Sequence, residues 1–154
     1  MNMDVMTMVI RMVLSGVLAG LIGFEREWHG RPAGFRTHML VCIGSTLFTI
    51  VSILMAQAYS NIGASDPARI ASNIVTGIGF LGAGAIIRGD ASIQGLTTAA
   101  SIWAVAAIGM AVGVGLYTIA VITTVIVLIV LFLSKFERHL ELKDDNGNNG
   151  KNRK

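Results

Sequence analysis

Apolar residues run through this chain in five blocks: Val5–Phe24, Met39–Ala58, Ile70–Ile87, Leu96–Val114 and Leu116–Leu133. Each is close to the roughly 20 residues that an α-helix needs to cross a bilayer. Short polar breaks separate them. Asp66 and Pro67 stand where a helix N-cap and a first-turn proline start the third block. Val114–Tyr117 leaves almost no loop, so the fourth and fifth helices form a tight antiparallel hairpin. The pattern predicts an all-α fold, a polytopic membrane bundle of about five transmembrane helices. Residues 1–136 make up this membrane domain and 137–154 a short polar tail. One further helical turn is expected over Phe136–Lys143. Asp144–Lys154, DDNGNNGKNRK, is too polar and too rich in Asn and Gly to fold alone, and disorder is expected there.

Composition agrees with the pattern. The chain is 53% hydrophobic and 14% charged, whereas soluble domains carry about 25% charged residues. All of its twelve Lys and Arg except Arg11 and Arg69 fall after the first block, after the third, or in the tail. Five crossings put those three places on one side. The positive-inside rule makes that side cytoplasmic, with the N-terminus outside. The pI of about 9.4 therefore follows from topology, with weak attraction to anionic lipid, and nucleic acid is not an expected partner. Met1–Gly23 opens with Asp4 in place of a basic cluster, and its apolar run is long for a signal sequence, so it reads as a retained span. Cys42 is the only cysteine, which excludes disulfides and multi-cysteine metal sites within one chain.

Glycine is costly inside helices and is used where backbones approach closely. Gly16 and Gly20 on the first helix, and Gly109 and Gly113 on the fourth, have the spacing of close helix crossings. On the third helix Gly77 and Gly84 share a face with Asn73, while Gly79 and Gly82 lie nearly opposite. Glycine on two faces predicts neighbours on both sides, and so places the third helix at the centre of the bundle. These glycine-lined faces also predict a homo-oligomer. Sliding the chain by 61 residues aligns Gly16 with Gly77, Gly23 with Gly84, Gly34 with Gly95 and Thr37 with Thr98. Such a shift would make the first two helices and the next two a parallel repeat.

The candidate chemistry is concentrated in a few places. His38, Cys42, Ser45, Thr49 and Ser52 are spaced four, three, four and three residues apart, one face of the second helix, with Thr46 beside them. That face meets protein or a wet cavity; close packing and a lined polar path are both open readings. Asn73 has Arg69 one turn above it and Thr76 alongside, and suits either an interhelical hydrogen bond or an ion contact. At the cytoplasmic side stand Glu25, Arg26, Glu27, Arg31, Arg36, Thr37, Arg88 and Asp90, with Thr97 and Thr98 starting the fourth helix. They form either an acid–base network tying helix ends together, with Glu25 or Glu27 paired to Arg36 or Arg88, or a cation or phosphate site. Arg11 is expected to snorkel outward toward Asp4. GIGFLGAG lacks the Lys-Ser/Thr ending of a phosphate loop. With no paired-carboxylate cleft, metal-ligand cluster or nucleophilic triad in the sequence, an enzyme is not expected. No cofactor is expected either, beyond Mg²⁺ as a ligand or signal.

Three longer strings carry a resemblance: GFEREWHGRPAGFRTHMLVCIGS from Gly23, DPARIASNIVTGIGFLGAGAIIRG from Asp66, and GLTTAASIWAVAAIGMAVGVGLY from Gly95. In this order they resemble the signatures of the MgtC/SapB family of bacterial inner-membrane proteins, over about Gly16 to Leu133. The resemblance implies about five membrane helices, the bacterial cytoplasmic membrane, and a link to growth in low magnesium. It further implies regulation of Mg²⁺ homeostasis, or of another membrane complex such as the proton-translocating ATP synthase. The alternative is a small Mg²⁺ transporter or channel with a polar path through the bundle. The sequence leans toward the regulator. Its acids near the membrane (Glu25, Glu27, Asp66, Asp90) sit at helix ends, whereas Mg²⁺ usually takes carboxylate oxygens. Pathogen-type members of the family carry an additional soluble C-terminal domain where this chain has a short polar tail, so their role inside macrophages is not carried over.

Overall fold

The computed structural model describes residues 3–59, 66, 68–88 and 92–149, with side chains at 70, 87, 88 and 134–149 left out of the description. The helices are α1 (Val5–Trp28), α2 (Phe35–Ala58), α3 (Ala68–Gly84), α4 (Leu96–Val114) and α5 (Tyr117–Asn149). Two short strands, β1 (Ile87–Arg88) and β2 (Ile93–Gln94), pair antiparallel between α3 and α4, Ile87 opposite Gln94 and Arg88 opposite Ile93. The fold is all-α apart from this hairpin. Three helices, α1, α2 and α4, are long and apolar enough to cross a membrane. Ala71–Gly84 and Tyr117–Leu133 are shorter apolar stretches. Large apolar side chains such as Leu40, Phe48, Phe80 and Ile126 point outward, an exterior suited to lipid and not to water. The protein is a membrane protein.

The helix ends follow local chemistry. Asp66 Oδ1 accepts the Ala68 N–H at 2.8 Å, the predicted cap of α3. The third apolar block was expected to stay helical to Ile87, but α3 ends at Gly84. There the Ala85 and Ile86 N–H groups bond three residues back, to Gly82 and Ala83. That tightened last turn leads the chain into the hairpin. The connection from α4 to α5 is as short as expected. Gly115 takes φ +100°, and its N–H reaches the Ala111 and Val112 carbonyls, a left-handed cap that a side chain would strain. Helix α5 continues to Asn149, past the single turn expected after Phe136. Propagating a formed helix costs much less than nucleating one. Asp90, the loop residues 60–65, Pro67 and residues 150–154 lie outside the described residues.

The centre of the bundle is α4, not α3. Helix α4 touches all four other helices, and α2 packs extensively on both α1 and α4. The main core joins Leu18, Ala19 and Ile22 of α1, Cys42 of α2, Val105, Ile108 and Val112 of α4, and Ala120 and Leu131 of α5. Helix α3 lies at the edge, held by Ile74 and Ile78 against Ile102 and Ala106. Among the described residues, a Cβ built at Gly77, Gly79 or Gly84 meets nothing within 4 Å, and only Gly82 of the α3 glycines touches a neighbour, Ala99. Glycine permits close approach without compelling it. The small Ala, Ser and Gly residues all round α4 are what let four helices reach it.

The 61-residue shift is not reproduced in the contact register. Gly23 lies against His38 Cβ, while its counterpart Gly84 is open and Gly82 meets Ala99, the counterpart of His38.

Candidate functional site

The polar stripe of α2 is a seam. His38, Cys42, Ser45, Thr46, Thr49 and Ser52 are all buried, and α4 answers them with Thr98, Ser101, Gly109 and Gly113, also buried. A Cβ at Gly109 would collide with the Cys42 carbonyl oxygen; one at Gly113 would lie 2.7 Å from Thr49 Cβ. The two backbones are therefore as close as glycine allows. Thr46 Oγ1 lies 2.9 Å from the Cys42 carbonyl within α2 and 2.8 Å from the Gly109 carbonyl on α4. One hydroxyl proton serves both, and the second bond crosses between helices.

His38 is fully buried. Its Nδ1 lies 2.8 Å from the Gly34 carbonyl. A carbonyl only accepts, so Nδ1 carries the proton and Nε2 of the neutral ring accepts from Ser101 Oγ at 3.0 Å. The Ser101 hydroxyl also faces the Thr98 carbonyl at 2.8 Å. Ser101 has one hydroxyl proton, shared between Nε2 and the Thr98 carbonyl. Ser101 was not among the residues singled out from sequence. Its spacing three after Thr98 was the available signal, but it gained meaning only when α4 was placed beside His38.

At the same end of the bundle, Glu25 and Arg26 are buried at the close of α1. Glu25 pairs with His29 at 3.0 Å and with Arg26 at 3.7 Å. Glu25 Oε2, Arg26 Nε and Arg31 Nε are buried without a hydrogen-bond partner among the described residues. The expected pairing of Glu25 or Glu27 with Arg36 does not form, as Arg36 and Thr37 are exposed, and the Arg88 side chain lies outside the described residues. Glu25 instead uses its own helix, because His29 lies one turn on. Glu27 turns to α2, where its Oε2 accepts the Phe35 N–H at 2.8 Å and caps the helix. Thr98 is buried in the seam while Thr97 is exposed.

Arg11 sits at the opposite end and is also buried. Its side chain does run toward the N-terminal end, where Nη1 lies 3.1 Å from Met3 Sδ, but it forms no ion pair with Asp4. Its Nη1 donates to the Gly113 carbonyl at 2.6 Å and its Nε to Tyr117 Oη at 3.0 Å, with the guanidinium 5.8 Å from the Tyr117 ring centroid. The last carbonyls of α4 carry the negative end of the helix dipole, and they hold the cation more firmly than a distant surface carboxylate would.

Asn73 is exposed on α3, as is Arg69; Thr76 Oγ1 bonds back to the Ser72 carbonyl at 3.1 Å. Between α2 and α3 lies a hollow of about 530 Å³ lined mainly by apolar side chains, with Asn73 and Ser45 as its polar members and Gly44 and Gly77 in its walls. On α1, Gly16 and Gly20 face α2: a Cβ at Gly16 would lie 3.2 Å from Ile43, and one at Gly20 would lie 3.1 Å from the Phe35 ring. The structure thus gathers His38, Ser45, Thr49 and Thr98 in one seam, gathers Glu25 and Arg26 beside it, and leaves Asn73, Arg69, Arg36, Thr37 and Thr97 apart from both.

Residues 12–139 match the MgtC family. An Escherichia coli protein named putative magnesium transporter YhiD is 43% identical over 151 residues, which cover 91% of this chain and 70% of the relative. Protein MgtC of Brucella abortus is 45% identical over 114 residues, 74% of this chain and 45% of the relative. An uncharacterised Haemophilus influenzae protein is 42% identical over 137 residues, 86% of this chain and 58% of the relative. No solved structure matches. From residue 12 onward the α1–α2–α4 seam, both glycine crossings and the α3–α4 hairpin fall inside the matched region, and the chain belongs to the MgtC family.

Proposed function

We propose that this membrane protein, linked through its family to Mg²⁺ handling, regulates Mg²⁺ homeostasis or another membrane complex such as the ATP synthase through helix–helix contact, and catalyses no reaction. We place it in the bacterial inner membrane, N-terminus outside, from the Lys and Arg distribution. One observation carries the regulatory reading. The continuous polar stripe of α2 is buried in the α2–α4 seam, with Thr46 and His38 bonded across it. A conducting path needs such groups free to exchange with a hydrated ion, and Mg²⁺ gives up its water reluctantly.

A second reading, a small Mg²⁺ transporter, rests on the α2–α3 hollow with Asn73 and Ser45, and on the name of the Escherichia coli relative, putative magnesium transporter YhiD. Liposomes containing the purified chain, loaded with Mg²⁺- and pH-sensitive dyes, separate the two. The regulatory reading expects background flux of both ions, and a membrane complex that co-purifies from native membranes. Flux well above empty liposomes that falls in Asn73→Ala or Ser45→Ala would overturn it.

A further inference from the structure

At the end of α1 that carries Arg26, three aromatic rings and one carboxylate surround a hollow that neither the core nor the polar seam uses. Phe24, Glu27 and Trp28 come from α1 and Phe35 from the start of α2, around about 400 Å³. The hollow opens outward: Phe24 is 59% exposed and Trp28 77%, with their ring centroids 6.0 Å apart. The Phe35 ring lies along α1 over Gly20, with its edge 3.1 Å from where a Cβ there would stand. Glycine at position 20 leaves room for that ring to stand as a wall.

Glu27 is held in place. Its Oε2 accepts the Phe35 N–H at 2.8 Å, and Gly34 packs so closely that an added Cβ would lie 2.7 Å from the same oxygen. Its Oε1 is not used by that cap. The carboxylate contacts with basic side chains at this end lie elsewhere, between Glu25 and Arg26 and between Glu25 and His29. Glu27 is thus an exposed carboxylate, fixed beside aromatic rings, with no cationic side chain paired to it among the described residues.

Aromatic faces beside an anion favour an organic ammonium: the rings attract the cation, and a carboxylate oxygen accepts an N–H bond that a primary ammonium offers and a quaternary one does not. A bare metal ion suits the site poorly, since Mg²⁺ wants several oxygens and keeps its waters. Position selects the source. Phe24 and Trp28 occupy the last turn of a membrane-spanning helix and face outward, the headgroup level where aromatic rings anchor spans. The neighbour there is lipid. Arg36, exposed and next to Phe35, supplies a positive charge at the same end for a headgroup phosphate. We infer that the hollow between Phe24, Glu27, Trp28 and Phe35 seats the ammonium of a zwitterionic phospholipid headgroup of the phosphatidylethanolamine kind.

Native mass spectrometry of the full chain in mild detergent tests this, with phosphatidylethanolamine and phosphatidylglycerol of matched acyl chains as the titrated probes. The two lipids share the phosphate and differ in the ammonium. The wild type should retain the ethanolamine lipid about fivefold more tightly than the glycerol lipid, the size of one exposed cation–aromatic contact. Glu27→Gln keeps an oxygen for the Phe35 N–H and removes the charge. Trp28→Leu changes an exposed ring that the fold does not bury. Each should bring the ratio below about twofold, with helicity by circular dichroism unchanged as the check on folding. Equal retention of the two lipids by the wild type, which would leave the hollow to a partner's lysine, overturns the inference. So does a preference that survives in either variant.

Discussion

Alanine at three glycines tests the central structural claim, that the bundle is built on the α2–α4 seam with α3 at its edge. At Gly113 the new Cβ would lie 2.7 Å from Thr49 Cβ and 3.0 Å from the Thr46 carbonyl oxygen. Optimal carbon–carbon contact is about 3.5–4.0 Å, so the helices must part by about 1 Å. Neither neighbour can swing aside, since one is a Cβ tied to the backbone and the other is backbone itself. Gly109 meets the Cys42 carbonyl in the same way. Parting by that amount stretches the Thr46–Gly109 bond from 2.8 Å beyond hydrogen-bond range. Overpacking costs about 1–3 kcal/mol. The lost interhelical bond adds about 0.6–1.7 kcal/mol, and better helix propensity returns about 0.5–1 kcal/mol. Gly109→Ala and Gly113→Ala should therefore each destabilise by about 1–4 kcal/mol. Gly77→Ala has open space around it and should gain up to about 1 kcal/mol from propensity alone. The assay is unfolding in mixed micelles by added SDS, followed by helicity, with all three variants in parallel. Equal loss in Gly77→Ala and Gly109→Ala would refute the reasoning, because it would mean that α3 is packed as tightly as α4. An undiminished Gly113→Ala would refute it from the other side.

Three more outcomes follow from the same geometry. A double-mutant cycle of His38→Ala and Ser101→Ala should show a coupling of about 0.6–1.7 kcal/mol in the same unfolding assay; strict additivity would mean that the 3.0 Å contact contributes nothing. Arg11→Ala removes the donors to Gly113 and Tyr117 and should cost about 2–4 kcal/mol, with Arg11→Lys intermediate; a loss below about 0.5 kcal/mol in Arg11→Ala would remove the claim that this arginine caps α4. Gly34→Ala should push Glu27 off the Phe35 N–H and cost about 1 kcal/mol, and the cost should shrink in a Glu27→Ala background; an unchanged cost in both backgrounds would place the strain elsewhere.

The helices, the cap at Asp66 and the tight turn before Tyr117 were legible in the chain because each is a local fact. An apolar block declares its length, and Asp, Pro and Gly declare where a helix can start or stop. The end of α3 was less legible. Ala85, Ile86 and Ile87 are apolar enough to continue a span, and the three-residue-back bonds at Ala85 and Ile86 that end it leave no trace in hydropathy. Glycine misled for a related reason. Gly77, Gly79, Gly82 and Gly84 give α3 two smooth faces, and smoothness on two faces suggested two neighbours. Yet a glycine states only what a position can admit. Whether a neighbour arrives depends on the opposing surface, which for α3 is supplied mainly by Ile102 and Ala106.

The seam shows what was needed instead. His38 to Ser101 and Thr46 to Gly109 each span 63 residues, a constant offset that two helices produce when they run parallel and in register. Each partner alone is ambiguous. A row of Ser, Thr and His on α2 suits a water-filled path as well as a contact, and two glycines four apart on α4 suit any close crossing. Set at one offset, the two patterns interlock: the Thr46 hydroxyl meets the Gly109 carbonyl that glycine leaves uncovered, and the His38 ring meets Ser101. This is the strongest argument for packing over conduction in the α2 stripe. The same polar groups cannot both close the helices to the distance at which a single Cβ collides and leave room for a hydrated ion. The α2–α3 hollow has no such conflict, so any polar passage through this bundle would have to run past Asn73 and not along His38, Cys42 and Thr46.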